Sequence, residues 1–331
     1  MGYNVYVTWR IPEPALELLR RECEIVEVNP EDRRLTRAEL LDKIRGRDGI
    51  LCMLTDLIDE EAMRAANRVC GFANYAVGYN NIDVAKATER GLVITNTPGV
   101  LTDATADLAW ALLFSVARRI VESDRFMRAG KFKGWGPMMF LGADITGRIL
   151  GIVGAGRIGS AVARRSRGFG MKVLYCDPSA NEALEKEVGA RRVALEELLD
   201  EADLVSVHVP LTEQTHHLFG AEQFRRMKRT AIFINTSRGQ IHDEAALVEA
   251  LRSGQIAGAG LDVYEDEPKM KPGLAELDNI VLCPHIGSAT IATRTRMGIM
   301  AAENLIAIVK GERAPHCVNP EVYEKGRAGK R

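Results

Sequence analysis

The sequence predicts an α/β protein with two doubly wound parallel sheets and a cleft between two domains. Three observations predict this class: short apolar runs alternate with amphipathic segments, Asn96-Thr97-Pro98-Gly99 interrupts the alternation, and a glycine-rich turn follows a strand-like run near the middle of the chain. Such alternation is typical of parallel strands joined by covering helices. A chain of 331 residues is long enough for two domains of ordinary size.

The first domain is predicted from the alternation before the Pro-Gly break. Its strand candidates are apolar runs bounded by polar segments, at residues 4–8, 24–28, 49–53, 69–76 and 92–95. Helix candidates lie between them, and Thr36 with Glu39 forms a capping box at the start of the second helix. A last helix, from about residue 289 to 310, is expected to cross back, so this domain comprises residues 1–100 and 289–331.

The second domain, residues 101–288, begins with a segment predicted as one long helix from Asp103 to about Ala129. Its apolar positions cover a broad face, so we expect it to be buried between domains or at a subunit interface, which predicts a homodimer through residues 103–129. The strand candidates that follow are residues 148–153, 171–176, 203–207, 231–234, 258–263 and 280–282. The basic tail, 325–331, is expected to be frayed.

The glycine-rich turn predicts a dinucleotide site. A strand-like run leads into Gly154-Ala155-Gly156-Arg157-Ile158-Gly159 and then a helical pattern, and a second strand candidate ends on Asp177, about 20 residues after the first glycine. The glycines permit a tight turn, a close approach of the pyrophosphate and close helix packing, while the helix N-terminus offers N–H donors. A carboxylate that accepts hydrogen bonds from ribose hydroxyls repels a 2′-phosphate, so the motif favours NAD(H).

Composition excludes several other classes of function. The 44 Lys and Arg balance the 45 Asp and Glu, and the net charge of −1 gives no reason to expect nucleic acid or an anionic membrane as partner. No apolar stretch is long enough to span a bilayer, and no signal pattern opens the chain. Six scattered cysteines without a C-x-x-C pair resemble reduced residues of a cytoplasmic protein without a metal site.

Three ionisable residues follow predicted strands of the second domain. They are Arg238 in Thr236-Ser237-Arg238-Gly239, Glu267 in the segment 262–268, and His285 in Pro284-His285-Ile286-Gly287. In a doubly wound sheet, ligands bind beyond the carboxyl ends of the strands. Arginine can clamp a carboxylate, histidine can protonate a developing alkoxide, and glutamate can orient the imidazole. Glu265 is the rival to Glu267.

The other histidines are expected to have ordinary roles: His208 lines the cofactor groove, and His216, His217, His242 and His316 lie on loops or helix faces.

Together these motifs resemble the D-isomer-specific 2-hydroxyacid dehydrogenases over nearly the whole chain, which implies two Rossmann-like domains, the first flavodoxin-like and substrate-binding. The resemblance makes Arg238, Glu267 and His285 the catalytic trio. It implies substrate contacts at Val77 and Gly78, through backbone amides, and at Arg238, Trp135 and Ser288, although Trp135 could equally be packing. The cofactor contacts it implies, beyond the glycine motif and Asp177, are Thr105, His208, Pro210, Thr215, Thr236, Ser237, Asp262 and Gly287.

Within the family, the segments 74–83 and 134–137 look most like glyoxylate and hydroxypyruvate reductases. Phosphoglycerate dehydrogenases usually have arginine at the position of Asn74, and phosphite dehydrogenases have lysine at that of Val77. The chain departs from the family's pattern at Gln240-Ile241-His242, where aliphatic residues are commoner. We therefore expect an NADH-dependent reductase of a small 2-oxo acid. Other D-2-hydroxyacid substrates, D-lactate-like ones included, and a non-metabolic NAD sensor similar to the transcriptional corepressors of this fold remain alternatives.

Overall fold

A computed structural model describes residues 2–324 of the chain, so the tail predicted to be frayed lies outside the described residues. The chain divides into two compact units. Unit 1 takes in the residues up to Leu101 and those from Ser288 onward, and unit 2 is Thr102–Gly287. Each unit contains one parallel sheet, which confirms the predicted α/β class. No helix within residues 2–324 has both the length and the apolar character that crossing a membrane requires.

Unit 1 is built on a five-stranded sheet with the strand order β2-β1-β3-β4-β5. Its strands are Asn4–Val7 (β1), Ile25–Val28 (β2), Gly49–Cys52 (β3), Gly71–Asn74 (β4) and Val93–Thr95 (β5). Every adjacent pair is parallel. This is one of the two common doubly wound orders, in which ligands bind beyond the carboxyl ends of the strands near the point where the order reverses.

Unit 2 is built on a seven-stranded parallel sheet with the order β12-β11-β10-β9-β6-β7-β8. Its strands are Ile149–Val153 (β6), Lys172–Cys176 (β7), Arg191–Arg192 (β8), Leu204–Val207 (β9), Ile232–Asn235 (β10), Gly258–Leu261 (β11) and Ile280–Leu282 (β12). The order reverses between β6 and β9, so the carboxyl ends of these two strands mark the expected ligand site. Sequence analysis missed β8, because it has only two residues and both are exposed.

Helices cover both sheets. In chain order they are Glu13–Glu22 (α1), Arg37–Lys43 (α2), Glu60–Ala65 (α3), Val84–Glu89 (α4), Thr102–Ala117 (α5), Ile120–Arg128 (α6), Arg157–Arg165 (α7), Glu182–Val188 (α8), Leu195–Glu201 (α9), Ala221–Arg226 (α10), Glu244–Arg252 (α11), Ile291–Lys310 (α12) and Glu321–Glu324 (α13). The predicted capping box opens α2: the Glu39 amide donates to Thr36 Oγ1, and the Thr36 amide donates to Glu39 Oε2.

The single helix predicted over residues 103–129 is wrong, because the segment forms two helices, α5 and α6. Arg119 breaks it by adopting the left-handed conformation (φ 51°), and its guanidinium bonds to Glu122 in the first turn of α6. The segment was expected to be buried between domains or at a subunit interface, and the observed packing of α5 differs from this. The apolar side chains of α5, among them Leu112 and Leu113, pack in the core of unit 2, where they cover its own sheet.

The last long helix, α12, packs within unit 1. It lies against α1 and against β3 and β4, and Met297, Ala301 and Leu305 are buried in this contact. A Cβ added at Gly298 would lie 2.9 Å from Ala15 Cβ, so the two helices approach closely. The helix therefore contributes to covering one face of the five-stranded sheet, although it is far from the strands in sequence.

Candidate active site

The glycine-rich turn lies at the carboxyl end of β6, as its motif predicts. Gly154 has φ 94°, a backbone conformation that residues other than glycine rarely adopt. A Cβ at Gly159 would lie 2.0 Å from the carbonyl oxygen of Gly154, so the first turn of α7 packs directly on the loop. Nothing lies within 4 Å of a Cβ built at Gly156. The middle of the turn is therefore open to a ligand.

The carboxylate of Asp177 lies beside this turn. Its Oδ2 accepts a hydrogen bond from the Ala155 amide (2.9 Å), and its Oδ1 accepts one from the Ser179 amide (3.0 Å). Asn181 binds the other side of the same loop, because its Nδ2 donates to the Ala155 carbonyl (2.8 Å) and to Ser160 Oγ (3.0 Å). The acid at the tip of β7 and the glycine loop are thus one hydrogen-bonded unit.

The residues at this edge fit a dinucleotide. No side chain in the described part of the chain caps the N-terminus of α7, so its first N–H groups are available to a pyrophosphate. Two buried polar atoms on the neighbouring strand ends, His208 Nδ1 and Thr236 Oγ1, have no hydrogen-bond partner within residues 2–324. Unpaired buried polar groups are costly, and a bound ligand can satisfy them. Burial also lowers the pKa of His208 to about 3, so its imidazole is neutral at physiological pH.

His285 and Glu267 form a direct pair beyond β12 and β11. His285 Nδ1 lies 2.9 Å from Glu267 Oε2 and 3.2 Å from Oε1. Because an ionised carboxylate only accepts, Nδ1 is the donor. Burial raises the pKa of Glu267, but the hydrogen bond and charge of His285, with smaller effects of Tyr264 and Arg238, outweigh burial and lower this pKa overall. Nε2 of His285 has no hydrogen-bond partner in the described structure, so it is available to a ligand.

The rival carboxylate, Glu265, has other partners. Its Oε1 pairs with Nε2 of His217 (2.5 Å), and its Oε2 lies 3.3 Å from Nζ of Lys271. Its backbone carbonyl accepts a hydrogen bond from Gln240 Nε2 (2.6 Å), which ties this segment to the loop after β10. Between the two glutamates, the geometry therefore selects Glu267 as the partner of His285.

Arg238 lies on that loop after β10. Its Nη1 donates to the carbonyl of Ser237 (2.7 Å). Burial lowers the pKa of Arg238, and the negative charge of Glu267 opposes the decrease. Arginine remains charged at neutral pH even when its pKa falls somewhat. The loop thus presents a partly desolvated cation, and such a cation favours binding of an anionic ligand.

Asp262 holds the backbone on which His285 lies. Its Oδ1 accepts from the Ile286 amide and its Oδ2 from the Gly287 amide, both at 2.7 Å. Thr105 Oγ1 donates to the Gly287 carbonyl at 3.3 Å. His285 itself has φ 55°, an unusual conformation for a residue other than glycine. Asp262 is buried, so these two short bonds fix the turn that aims the imidazole.

In unit 1, the predicted carboxylate-binding loop is held from behind by asparagines. Asn96 Nδ2 donates to the Val77 carbonyl (2.8 Å), and Asn74 Nδ2 donates to the Gly78 carbonyl (3.0 Å). The amides of Val77 and Gly78 donate to no group of the described residues. Adjacent N–H groups that point to the same side can bind an anion. The part of Val77 and Gly78 in binding a substrate carboxylate stays a prediction.

Comparison with known proteins decides the family. The model of the D-isomer specific 2-hydroxyacid dehydrogenase NAD binding domain matches residues 110–287. A glyoxylate reductase of Korarchaeum cryptofilum is 53% identical over 327 residues, which cover 98% of each chain. The chain belongs to the D-isomer-specific 2-hydroxyacid dehydrogenases.

Two solved structures extend this result. A protein from Thermus thermophilus is similar with a TM-score of 0.89 and 46% identity, over 95% of this chain and 99% of that one. An NADPH-dependent glyoxylate/hydroxypyruvate reductase from Sinorhizobium meliloti, in complex with NADP and malonate, gives a TM-score of 0.84 and 32% identity over 97% and 98% of the two chains. The predicted family, fold and enzyme class are therefore confirmed: the chain is an oxidoreductase with an NAD-binding domain.

Several predicted contacts of this dehydrogenase lie on the turn after β9. Nε2 of His208 lies 2.8 Å from Ser206 Oγ, and Thr215 Oγ1 donates to the Pro210 carbonyl (2.6 Å). Thus Pro210 and Thr215 are parts of one turn. Ser288 follows Gly287 directly and is partly buried.

Trp135 and His242 differ in burial. Trp135 is 83% exposed, so its own chain does not bury it, and its role as a substrate contact stays a prediction. His242, expected on a loop or a helix face, follows the short turn after Arg238 and is fully buried there. Residues 2–324 contain no group of three or more His, Cys, Asp or Glu that could hold a metal ion.

Sequence analysis missed the asparagines that position the loops. Asn74, Asn96 and Asn235 each end or follow a strand and each bind backbone groups of a predicted substrate loop. Their position at strand ends was the available signal. Asparagine is so common in turns, however, that this signal does not separate a supporting residue from an ordinary turn residue.

Proposed function

We propose that this dehydrogenase reduces glyoxylate or hydroxypyruvate to the corresponding 2-hydroxy acid, glycolate or D-glycerate, with NADH as the cosubstrate. The observation that carries the proposal is the pairing of His285 Nδ1 with both oxygens of Glu267, 2.9 and 3.2 Å away. This pairing leaves Nε2 as the proton donor. Two relatives that are 53% and 51% identical to this chain, over 98% and 99% of its length, are named glyoxylate reductase. These names support the choice of substrate.

Each residue has one task in the reaction. Arg238 binds the anionic substrate, and the Val77 and Gly78 amides bind its carboxylate. His285 donates its Nε2 proton to the carbonyl oxygen as the carbon accepts a hydride, and Glu267 stabilises the imidazolium before transfer. Bound NADH supplies the hydride. The balance is one 2-oxo acid, one NADH and one proton giving one 2-hydroxy acid and NAD⁺, and in oxidation the neutral His285 accepts the proton.

A panel of carbonyl substrates tests the proposal. The rate of NADH oxidation is measured with glyoxylate, hydroxypyruvate, pyruvate and phosphohydroxypyruvate, and NAD⁺ reduction is measured with phosphite. We expect the highest kcat/KM with glyoxylate or hydroxypyruvate. Preference for pyruvate, the phosphorylated acid or phosphite would select the corresponding alternative substrate class. No turnover with any of them, combined with tight NADH binding, would favour the NAD-sensing alternative.

The preference for NADH over NADPH is proposed from Asp177. Its carboxylate lies where the ribose of a bound dinucleotide is expected, beside the turn after β6, and would repel a 2′-phosphate. The matched Sinorhizobium enzyme is NADPH-dependent, so the family permits either cofactor. We expect Asp177→Ala to raise the NADPH-to-NADH ratio of kcat/KM about tenfold, which corresponds to about 1.4 kcal/mol. An unchanged ratio would refute this role of Asp177.

A homodimer is part of the proposal, and within and beyond the predicted region 103–129 we place its contact surface on α6 and the segment after it. There the chain exposes large apolar side chains that a second copy could cover, namely Ile120, Met127, Phe132, Trp135, Met138 and Leu141. We expect a dimer in sedimentation experiments, and a monomer after Trp135→Ser combined with Met138→Ser. Ile291→Ser, at a site that is 90% exposed elsewhere, is the control that should stay dimeric. A monomeric wild type would refute this part.

The proposed location is the cytoplasm. All six cysteines are free in the structure, and disulfides are rare in reducing compartments. Fractionation of cells that make the native chain tests this, and recovery with the membranes or outside the cell would contradict it.

A further inference from the structure

Asn235, the last residue of β10, is a fully buried amide with four hydrogen bonds. Its Oδ1 accepts from the amide and from Oγ of Ser237, both at 2.9 Å. Its Nδ2 donates to the Arg238 carbonyl (2.9 Å) and to Nδ1 of His242 (3.0 Å). A primary amide has two donor hydrogens and one oxygen acceptor with two lone pairs, so every hydrogen-bonding site of this side chain is used. Three of the four bonds hold the loop that carries Arg238.

His242 supplies the fourth bond. Its side chain is fully buried against Phe233, with ring centroids 5.7 Å apart. Because Nδ1 accepts from Asn235, the proton of the neutral ring is on Nε2, which has no hydrogen-bond partner within the described residues. Burial is the main cause that lowers the pKa of His242 to about 3. The ring therefore stays neutral, and Nδ1 stays an acceptor, throughout the physiological range.

The orientation of the Asn235 amide depends on this acceptor. The Ser237 amide can only donate, which fixes Oδ1 toward Ser237 and so directs Nδ2 toward the Arg238 carbonyl and His242. Without Nδ1 of His242, one N–H of Nδ2 would be buried and unpaired, which destabilises the folded protein. The amide can reduce that cost only by turning, and turning changes its bonds to Ser237 and to the Arg238 carbonyl.

We propose that His242 is a positioning residue of the substrate site, which acts through Asn235 to fix the backbone that carries Arg238. This inference rests on the proposed role of Arg238 in binding the substrate anion. It assigns to a buried histidine, outside the catalytic trio, a part in substrate affinity. The effect falls on binding of the 2-oxo acid rather than on the proton transfer, because the hydrogen bonds of Asn235 and His242 within residues 2–324 do not include His285 or Glu267.

The test compares two substitutions that have nearly the same shape. His242→Leu removes the acceptor, whereas His242→Asn keeps an acceptor oxygen close to the position of Nδ1. We expect His242→Leu to raise the KM for glyoxylate about tenfold, with kcat and the KM for NADH unchanged within about twofold, since the lost interaction is the same in the ground and transition states. We expect His242→Asn to restore most of the affinity.

Ile241→Val is the matched control. Ile241 is equally buried in the same core but offers no side-chain acceptor, so this variant should lose stability without a change in the KM for glyoxylate. If His242→Leu does not fold, His242→Val replaces it with a smaller side chain. A KM for glyoxylate that stays at the wild-type value in a folded Leu or Val variant would overturn the inference, as would equal KM values for Leu and Asn.

Arg238→Gln separates this inference from the proposed function. If Arg238→Gln leaves glyoxylate reduction unchanged, the role of Arg238 in the proposed function fails first. If Arg238→Gln impairs binding of glyoxylate while His242→Leu does not, only the inference about His242 fails. If both hold, the double variant should bind glyoxylate no worse than Arg238→Gln alone, because the two substitutions remove the same interaction.

Discussion

The carboxyl ends of the two parallel sheets are built from different chemistry. At the seven-stranded sheet of unit 2, ionisable side chains follow the strands, and His285 pairs with Glu267. At the five-stranded sheet of unit 1, amide side chains hold the Val77 and Gly78 carbonyls, and the groups that we propose for anion binding are the backbone N–H groups of these two residues. With the roles that we propose, one fold places proton transfer on titratable side chains in one domain and anion binding on the backbone in the other.

The largest effect is expected at His285, which follows β12 of unit 2. His285→Ala removes the proton donor, so kcat for glyoxylate reduction should fall by about 10²–10⁴-fold, the usual contribution of general acid catalysis. The measurement is steady-state turnover with saturating NADH. His216→Ala, which removes an exposed histidine of the same unit, is the control. Near-normal turnover in His285→Ala would remove the basis of the comparison.

Next in size is the effect at the carboxylate partner. Glu267→Gln keeps the shape but removes the charge that stabilises the imidazolium, so kcat should fall about 10- to 100-fold. Glu265→Gln should change kcat little, because Glu265 pairs with His217 and Lys271. A larger loss in Glu265→Gln than in Glu267→Gln would reverse the assignment of the two glutamates.

The same pair predicts a pH dependence. The pKa of Glu267 is lowered from 4.5, so its carboxylate stays ionised at and above this pH, and its support of His285 is lost only as the pH falls through the lower, folded-state pKa. Rates of glyoxylate reduction measured from neutral to acid pH should therefore show no acid limb from Glu267 above pH 4.5. An acid limb above that pH which disappears in Glu267→Gln would contradict the lowered pKa.

A smaller effect is expected at the loop of Val77 and Gly78 in unit 1, which asparagine side chains hold. Asn96→Ala removes the donor to the Val77 carbonyl, which lets the loop relax, so the KM for glyoxylate should rise about tenfold while kcat changes little. Asn279→Ala is a matched control, because Asn279 also donates to backbone carbonyls but lies in unit 2 on the segment before β12. If Asn96→Ala lowers kcat and leaves KM unchanged, the loop contributes to chemistry rather than to binding, and the contrast between the two edges fails.

The smallest effect concerns acid stability. Because the pKa of buried His242 is about 3, unfolding protonates this residue at any pH between about 3 and its unfolded pKa of about 6.5. The contribution of the neutral ring to the free energy of unfolding is therefore complete above about pH 6.5 and decreases as the pH falls below it. Between pH 7 and 5 the free energy of unfolding of the wild type should fall by about 2 kcal/mol more than that of His242→Leu. Urea unfolding at both pH values measures this, and parallel losses would show that His242 is protonated in the folded protein.

The sequence predicted the chemistry of unit 2 better than that of unit 1. Glycines, Asp177 and the trio follow strands whose apolar runs are easily recognised, so their meeting at one edge follows from parallel topology. The hydrogen bonds by which Asn74 and Asn96 hold the loop at Val77 and Gly78 were not predicted, because asparagine at a strand end is also an ordinary turn residue. The break at Arg119 was equally hidden, since a left-handed arginine has no marker such as glycine. The burial of His242 depends on the path of the chain after β10.

The most direct test of the central claim is a crystal structure of the protein with NADH and oxamate, a 2-oxo acid analogue that cannot be reduced. We predict that the amide oxygen of oxamate, which stands for the reactive carbonyl, lies within about 2.6–3.2 Å of His285 Nε2. We also predict that Arg238 contacts the same ligand and that Glu267 remains bonded to Nδ1. Oxamate bound away from His285 and Arg238, or Nε2 of His285 bonded to another protein group, would contradict the account.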